Sequence, residues 1–84
     1  MNKLDEQTHL IVARRTLKLR QEELADSVNV ILKINGSIRS FTWNTICKLE
    51  TGWKKTMRQD EALAYARALK IKVEEIEIGG IHVR

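Results

Sequence analysis

Proline is absent from the 84-residue chain, and cysteine occurs once, as Cys47. A single cysteine excludes an internal disulfide, so stability must come from an apolar core. Aromatic residues make up only 5% and give no platform for stacking single-stranded bases. Apolar runs such as Leu10 to Ala13 fall far short of the ~18 residues a membrane span requires. The opening Met1-Asn2-Lys3-Leu4-Asp5-Glu6 has no apolar signal core, which leads to the expectation of a cytoplasmic protein with no membrane contact. What is present is ordinary for a globular chain: 43% hydrophobic and 31% charged residues, enough to exclude a disordered tail. The length allows one domain. A chain this short buries only about 60% of its unfolded surface, so its stability is modest or shared with a partner.

Fifteen basic residues against eleven acidic ones give a net charge of +4, and the excess is not evenly spread. The first 32 residues balance, and residues 59–84 lean slightly acidic. The middle stretch carries Lys33, Arg39, Lys48, Lys54, Lys55 and Arg58 against Glu50 alone. A solvated lysine-rich loop would explain this pattern. So would a patch facing phosphates, where neutralised charge releases counterions and favours binding.

The apolar spacing of Leu10, Ile11, Ala13 and Leu17 predicts a first helix over Asp5 to Leu19. A second opens at Arg20-Gln21-Glu22-Glu23, with carboxylates in its first turn and an apolar face of Leu24, Ala25, Val28, Ile31 and Leu32. Arg20 stands where a capping hydroxyl is usual, which leaves that helix start less well satisfied. Asn35-Gly36 ends the helix, and Ser37 to Ser40 read as loop. Thr42 is a good N-cap for a third helix, with Phe41 and Ile46 at the positions of a hydrophobic staple and Gly52 as its stop. Ile46 and Leu49 face inward, leaving Trp43, Asn44, Cys47 and Lys48 on the other side. A basic loop, Trp53 to Arg58, leads to a fourth helix over Gln59 to Lys70, with Leu63, Ala66 and Leu69 inward. Val73 to Ile78 fits either a short helical turn or a strand start. Gly79-Gly80 and Ile81-His82-Val83-Arg84 form a weakly alternating tail, so the expected division is a domain over residues 1–78 and a tail over 79–84.

Two helices joined across a turn, the second short, capped and polar outside, describe a helix-turn-helix. Gln21-Glu22-Glu23-Leu24-Ala25, then Thr45-Ile46-Cys47-Lys48-Leu49-Glu50-Thr51-Gly52, then Ala66-Arg67-Ala68-Leu69-Lys70-Ile71 resemble the lambda-repressor-like (Cro/repressor) helix-turn-helix family over roughly residues 10–77. The resemblance implies an all-α, compact four- to five-helix fold and a sequence-specific, double-stranded DNA-binding transcriptional regulator. The helix after Thr42 would enter the major groove, with Trp43, Asn44, Cys47 and Lys48 at the base-contacting positions. Asn44 can pair with adenine and Lys48 with guanine. Trp43 fits a thymine methyl or sugar contact, or packing against helix two, and Cys47 fits a bystander. The resemblance places Gln21, Thr42, Lys54, Lys55 and Arg58 at phosphates, and makes Arg14 and Glu50 a buried ion pair. About eleven residues, Ile31 to Phe41, lengthen the usual connection between helices two and three, and bring Lys33 and Arg39 toward the phosphates.

Family habit and duplex symmetry imply a homodimer on an inverted repeat, with helix five and the tail as the expected dimer surface. A second function class is open: an antitoxin or adaptor that binds a partner protein, for which the acidic stretch Glu74-Glu75-Ile76-Glu77-Ile78 is a candidate surface. Catalysis is not expected. His9 and His82 stand in no metal-ligand or triad pattern, Gly36, Gly52, Gly79 and Gly80 match no nucleotide fingerprint, and neither a metal nor a cofactor is implied.

Overall fold

A computed structural model describes residues 5–84, with side chains from residue 9 onward; the opening Met1-Asn2-Lys3-Leu4 of the expected domain lies outside the described residues. Five helices follow in order: α1 (Asp5–Thr16), α2 (Gln21–Ile34), α3 (Trp43–Thr51), α4 (Gln59–Leu69) and α5 (Val73–Ile78). Two short strands, β1 (Thr56–Met57) and β2 (His82–Val83), pair in parallel, Thr56 opposite His82 and Met57 opposite Val83. The fold is therefore mostly helical. The Cα radius of gyration, 11.6 Å, matches the ~12 Å expected of a compact chain of this length. Among the described residues no helix is long and apolar enough to cross a membrane.

The helix starts follow a local rule. Arg20, Arg58 and Lys72 are the N-caps of α2, α4 and α5, and their side chains cannot accept the orphan amide hydrogens. A glutamate three residues on reaches back in each case. The carboxylates of Glu23, Glu61 and Glu75 accept the N-cap N–H at 2.8, 3.2 and 2.9 Å. Half of a capping box thus replaces the missing hydroxyl at Arg20, and that helix start is better satisfied than the residue alone suggests. At α3 the exchange runs between two threonines. Thr45 N donates to Thr42 Oγ1, and Thr42 N to Thr45 Oγ1, both at 3.3 Å. Gly52, at φ 86°, ends α3 in the left-handed region that a side chain disfavours.

One core joins all five helices. Leu10 of α1, Leu24, Val28 and Leu32 of α2, Ile46 and Leu49 of α3, Tyr65 and Leu69 of α4 and Ile76 of α5 are buried together with Phe41 and Met57. α4 departs from the expected facing. Ala66 and Leu69 are inside, but Leu63 is 41% exposed. Tyr65 takes the inward place: Ala62, Tyr65, Ala66 and Leu69 form the i, i+3, i+4, i+7 stripe, which leaves Leu63 and Arg67 outward. The first helix stops at Thr16, short of Leu19, because the chain turns over Leu17 and Lys18, where φ is 58°. Val73 to Ile78 is helical rather than extended.

The last six residues pack as part of the same body. Ile81 is buried, His82 N donates to Lys55 O at 2.7 Å and Arg84 N to Met57 O at 3.0 Å. Gly79 lies directly on α1, where an added Cβ would come within 2.6 Å of Leu10 Cγ.

Candidate nucleic-acid interface

The connection into α3 determines where that helix points. Residues 35–42 have no regular structure. Asn29 of α2 ties them down. Its Nδ2 donates to Phe41 O at 2.8 Å, and its Oδ1 accepts from Phe41 N at 2.6 Å. Both backbone groups of the residue before the Thr42 cap are thereby fixed to α2. Phe41 itself is buried against Tyr65, with ring centroids 6.1 Å apart.

The far end of α3 is anchored by a polar cluster. Glu50, only 3% exposed, accepts Arg14 Nε at 2.5 Å and Nη2 at 3.1 Å, and Gln21 Nε2 at 3.0 Å. Arg14 Nη1 also donates to Leu19 O at 2.8 Å, so one guanidinium links α1, the turn after it and α3. A buried carboxylate needs such company, because removing one partner of a buried pair costs about 3–5 kcal/mol. Gln21, expected at a phosphate, has its amide nitrogen committed to Glu50. The amide nitrogen carries a second N–H, so the bond to Glu50 does not by itself exclude an outside ligand.

With both ends held, α3 turns a mixed face outward, with Asn44 and Lys48 beside apolar surface from Trp43 and Cys47. Trp43, Asn44 and Lys48 are exposed and Cys47 is half-buried. Asn44, Cys47, Lys48, Thr51 and Trp53 line an open groove of about 370 Å³. Trp43 is 55% exposed and so is not packed away under α2, and Trp53 is 85% exposed. The base-contacting candidates thus share one helix face, bordered by more aromatic surface than the low aromatic content suggests. Trp53 and Thr51 join this site without a motif of their own, although Trp53 directly follows the Gly52 stop and Thr51 lies one helical turn beyond Cys47.

The cations divide. Arg39, Lys54 and Arg58 line one polar pocket of about 190 Å³, together with Arg84. Arg39 Nε stands 3.9 Å from Asp60 Oδ2, a long ion pair. Lys54 N donates to Lys48 O at 3.0 Å, so the pocket adjoins the end of α3. Thr42 is exposed at the helix start, where its hydroxyl serves the cap. Lys33, in the last turn of α2, and Lys55, beside β1, are exposed but line no part of this pocket.

A separate groove of about 300 Å³ between α1, α4 and α5 is mostly apolar and holds His9, whose Nε2 lies 3.3 Å from Glu75 Oε1 without hydrogen-bond geometry. The histidine therefore has a carboxylate neighbour that its sequence surroundings do not reveal. Among the described residues no group of three or more His, Cys, Asp or Glu side chains is arranged to hold a metal ion. Comparison of the chain with protein-family models, with curated proteins and with solved structures returned no match.

Proposed function

We propose that the chain is a sequence-specific double-stranded DNA-binding transcriptional regulator of the lambda-repressor-like helix-turn-helix kind. In this reading α2 and α3 are the two helices of the motif, and the chain acts as a homodimer on an inverted repeat. One observation carries it: α3 presents Asn44 and Lys48 on an exposed face, with Lys54, Arg58 and Arg39 grouped beside its end. Lys48 donates to a guanine edge, Asn44 pairs with adenine, and Trp43 and Cys47 supply apolar contact. Lys54, Lys55, Arg58, Arg39, Lys33 and the Thr42 hydroxyl hold phosphates and set the docking register, which is the division of labour expected of a major-groove reader.

Two substitutions separate the roles on the best duplex recovered from a random pool. Lys48→Ala weakens that duplex by ~1–3 kcal/mol and relaxes preference at one base pair. Lys54→Ala weakens all duplexes evenly and reduces the salt slope by about one unit per protomer. Uniform loss in the first variant, or selective loss in the second, contradicts the assigned roles.

A second reading rests on a different surface. Val30 and Ile34 stand one turn apart on α2 and are exposed, as is Ile38 in the loop that follows. An apolar edge of this kind suits an antitoxin or adaptor that binds a protein. That function is distinguished by negligible duplex binding at any salt concentration.

A further inference from the structure

The pocket beside α3 gathers charge from four separated segments of the chain. Arg39 comes from the connection before α3, Lys54 from the turn after it, Arg58 from the cap of α4, and Arg84 from the end of β2. Glu61 is the only carboxylate in the lining, and it accepts the Arg58 backbone N–H at 3.2 Å. Four like charges converging on one small cavity repel each other. With Glu61 in the lining and Asp60 3.9 Å from Arg39 the cations are only partly offset, and the net positive charge that remains favours entry of an anion.

Arg84 is the informative member, since local sequence gives it no relation to the others. The parallel pairing of β1 and β2 delivers it. Arg84 N donates to Met57 O at 3.0 Å, and His82 N to Lys55 O at 2.7 Å, which fixes the end of the chain alongside the basic loop. Ile81, buried in the core, anchors the strand from behind. The guanidinium adds several donors in a planar fork suited to two phosphate oxygens, where a lysine offers a single point charge.

We infer that this pocket is a phosphate clamp, and that Arg84 makes a contact to the DNA backbone through it, supplied by the tail strand. The inference rests on the DNA-binding reading and adds a contact residue to it. The tail is then part of the binding surface.

The test compares wild type, Arg84→Gln and Arg84→Lys in duplex binding across salt. Strand pairing uses only the Arg84 backbone, so both variants keep the fold, which a thermal melt verifies. Arg84→Gln is expected to lose about one unit of salt slope per bound protomer, so that its deficit shrinks about threefold to fourfold per protomer between about 50 and about 200 mM salt, with sequence preference unchanged. Arg84→Lys keeps the slope. If Arg84→Gln binds with the wild-type slope while Lys48→Ala still loses selectivity, the clamp is wrong and the regulator reading stands. If wild type binds no duplex, the regulator reading falls and the DNA contact with it. Titration with inorganic phosphate, followed by NMR at Arg39, Arg58 and Arg84, then separates the remaining sources. Where no duplex is bound, shifts that vanish in Arg84→Gln identify a site for a free phosphate instead of a DNA strand, and no shifts mean that the pocket binds no phosphate.

Discussion

Tyr65 is the only tyrosine in the chain, and its side chain is completely buried. Its hydroxyl finds no hydrogen-bond partner among the described residues. Burial holds the phenol well above its ordinary value of 10.0, the nearby Glu50 carboxylate pushes the same way, and Arg14 opposes them. Up to about pH 10 the phenol is neutral in both folded and unfolded chains, and the full contribution to stability is present. Above that, the unfolded chain releases its proton while the folded chain retains it. Stability then falls with rising pH, by up to about 1.4 kcal/mol per pH unit from this group. Tyr65→Phe should remove that part of the alkaline loss, and at neutral pH it should leave stability unchanged or raise it by about 1 kcal/mol, since an unpaired buried hydroxyl is costly. Chemical unfolding of both proteins across pH 9–11 measures the difference, and phenolate absorbance reads Tyr65 without interference from another tyrosine. Phenolate forming near pH 10 while the chain remains folded would show that the ring is not shielded. A neighbouring cluster illustrates how side-chain fate depends on distant residues. Gln21 also donates an amide N–H to Glu50, 29 positions away, a partner its local sequence does not reveal.

Among the elements, α3 owes its position to Asn29, whose amide binds both backbone groups of Phe41. Asn29→Ala leaves those groups unpaired and half-buried, and should cost about 2 kcal/mol in chemical unfolding while weakening DNA binding at temperatures where the variant is folded. Unchanged binding in a folded, destabilised variant would show that α3 does not depend on this tie. Four of the five helices were legible in the sequence, because their signals are local, while α5 was open between a helical turn and a strand. Apolar spacing marked α2, Thr42 and Gly52 bounded α3, and Asn35-Gly36 closed α2. What was not legible depends on partners distant in sequence. The facing of α4 turned on Tyr65 filling the space beside Phe41, which exposes Leu63. A two-residue parallel pairing between β1 and β2 leaves almost no periodicity to read, so Arg84 seemed to belong to a tail. The outward face of α3 was legible for the opposite reason. Once Ile46 and Leu49 are inside, helical geometry alone puts Asn44 and Lys48 on the other side.

For the whole molecule, the charge map and the fold coincide. The middle stretch that holds the basic excess wraps α3, from Arg39 before it to Arg58 after it, and the chain end adds Arg84. Ile81 of the tail faces the protein's own core, while Val30 and Ile34 of α2 and Ile38 of the connection after it are exposed. A self-association surface built on the tail therefore has Ile78 of α5 as its exposed apolar residue, and not Ile81. The proposed function requires a duplex ligand with a symmetric site, and selection of bound fragments from a random double-stranded pool addresses all of this at once. The expected result is enrichment of an inverted repeat with half-sites about one helical turn apart, bound with a log–log salt slope of about −5 per protomer for the six assigned cations and about twice that for the dimer. A pool that emerges without enrichment, from a folded protein at low salt, would contradict the proposal that α3 reads DNA.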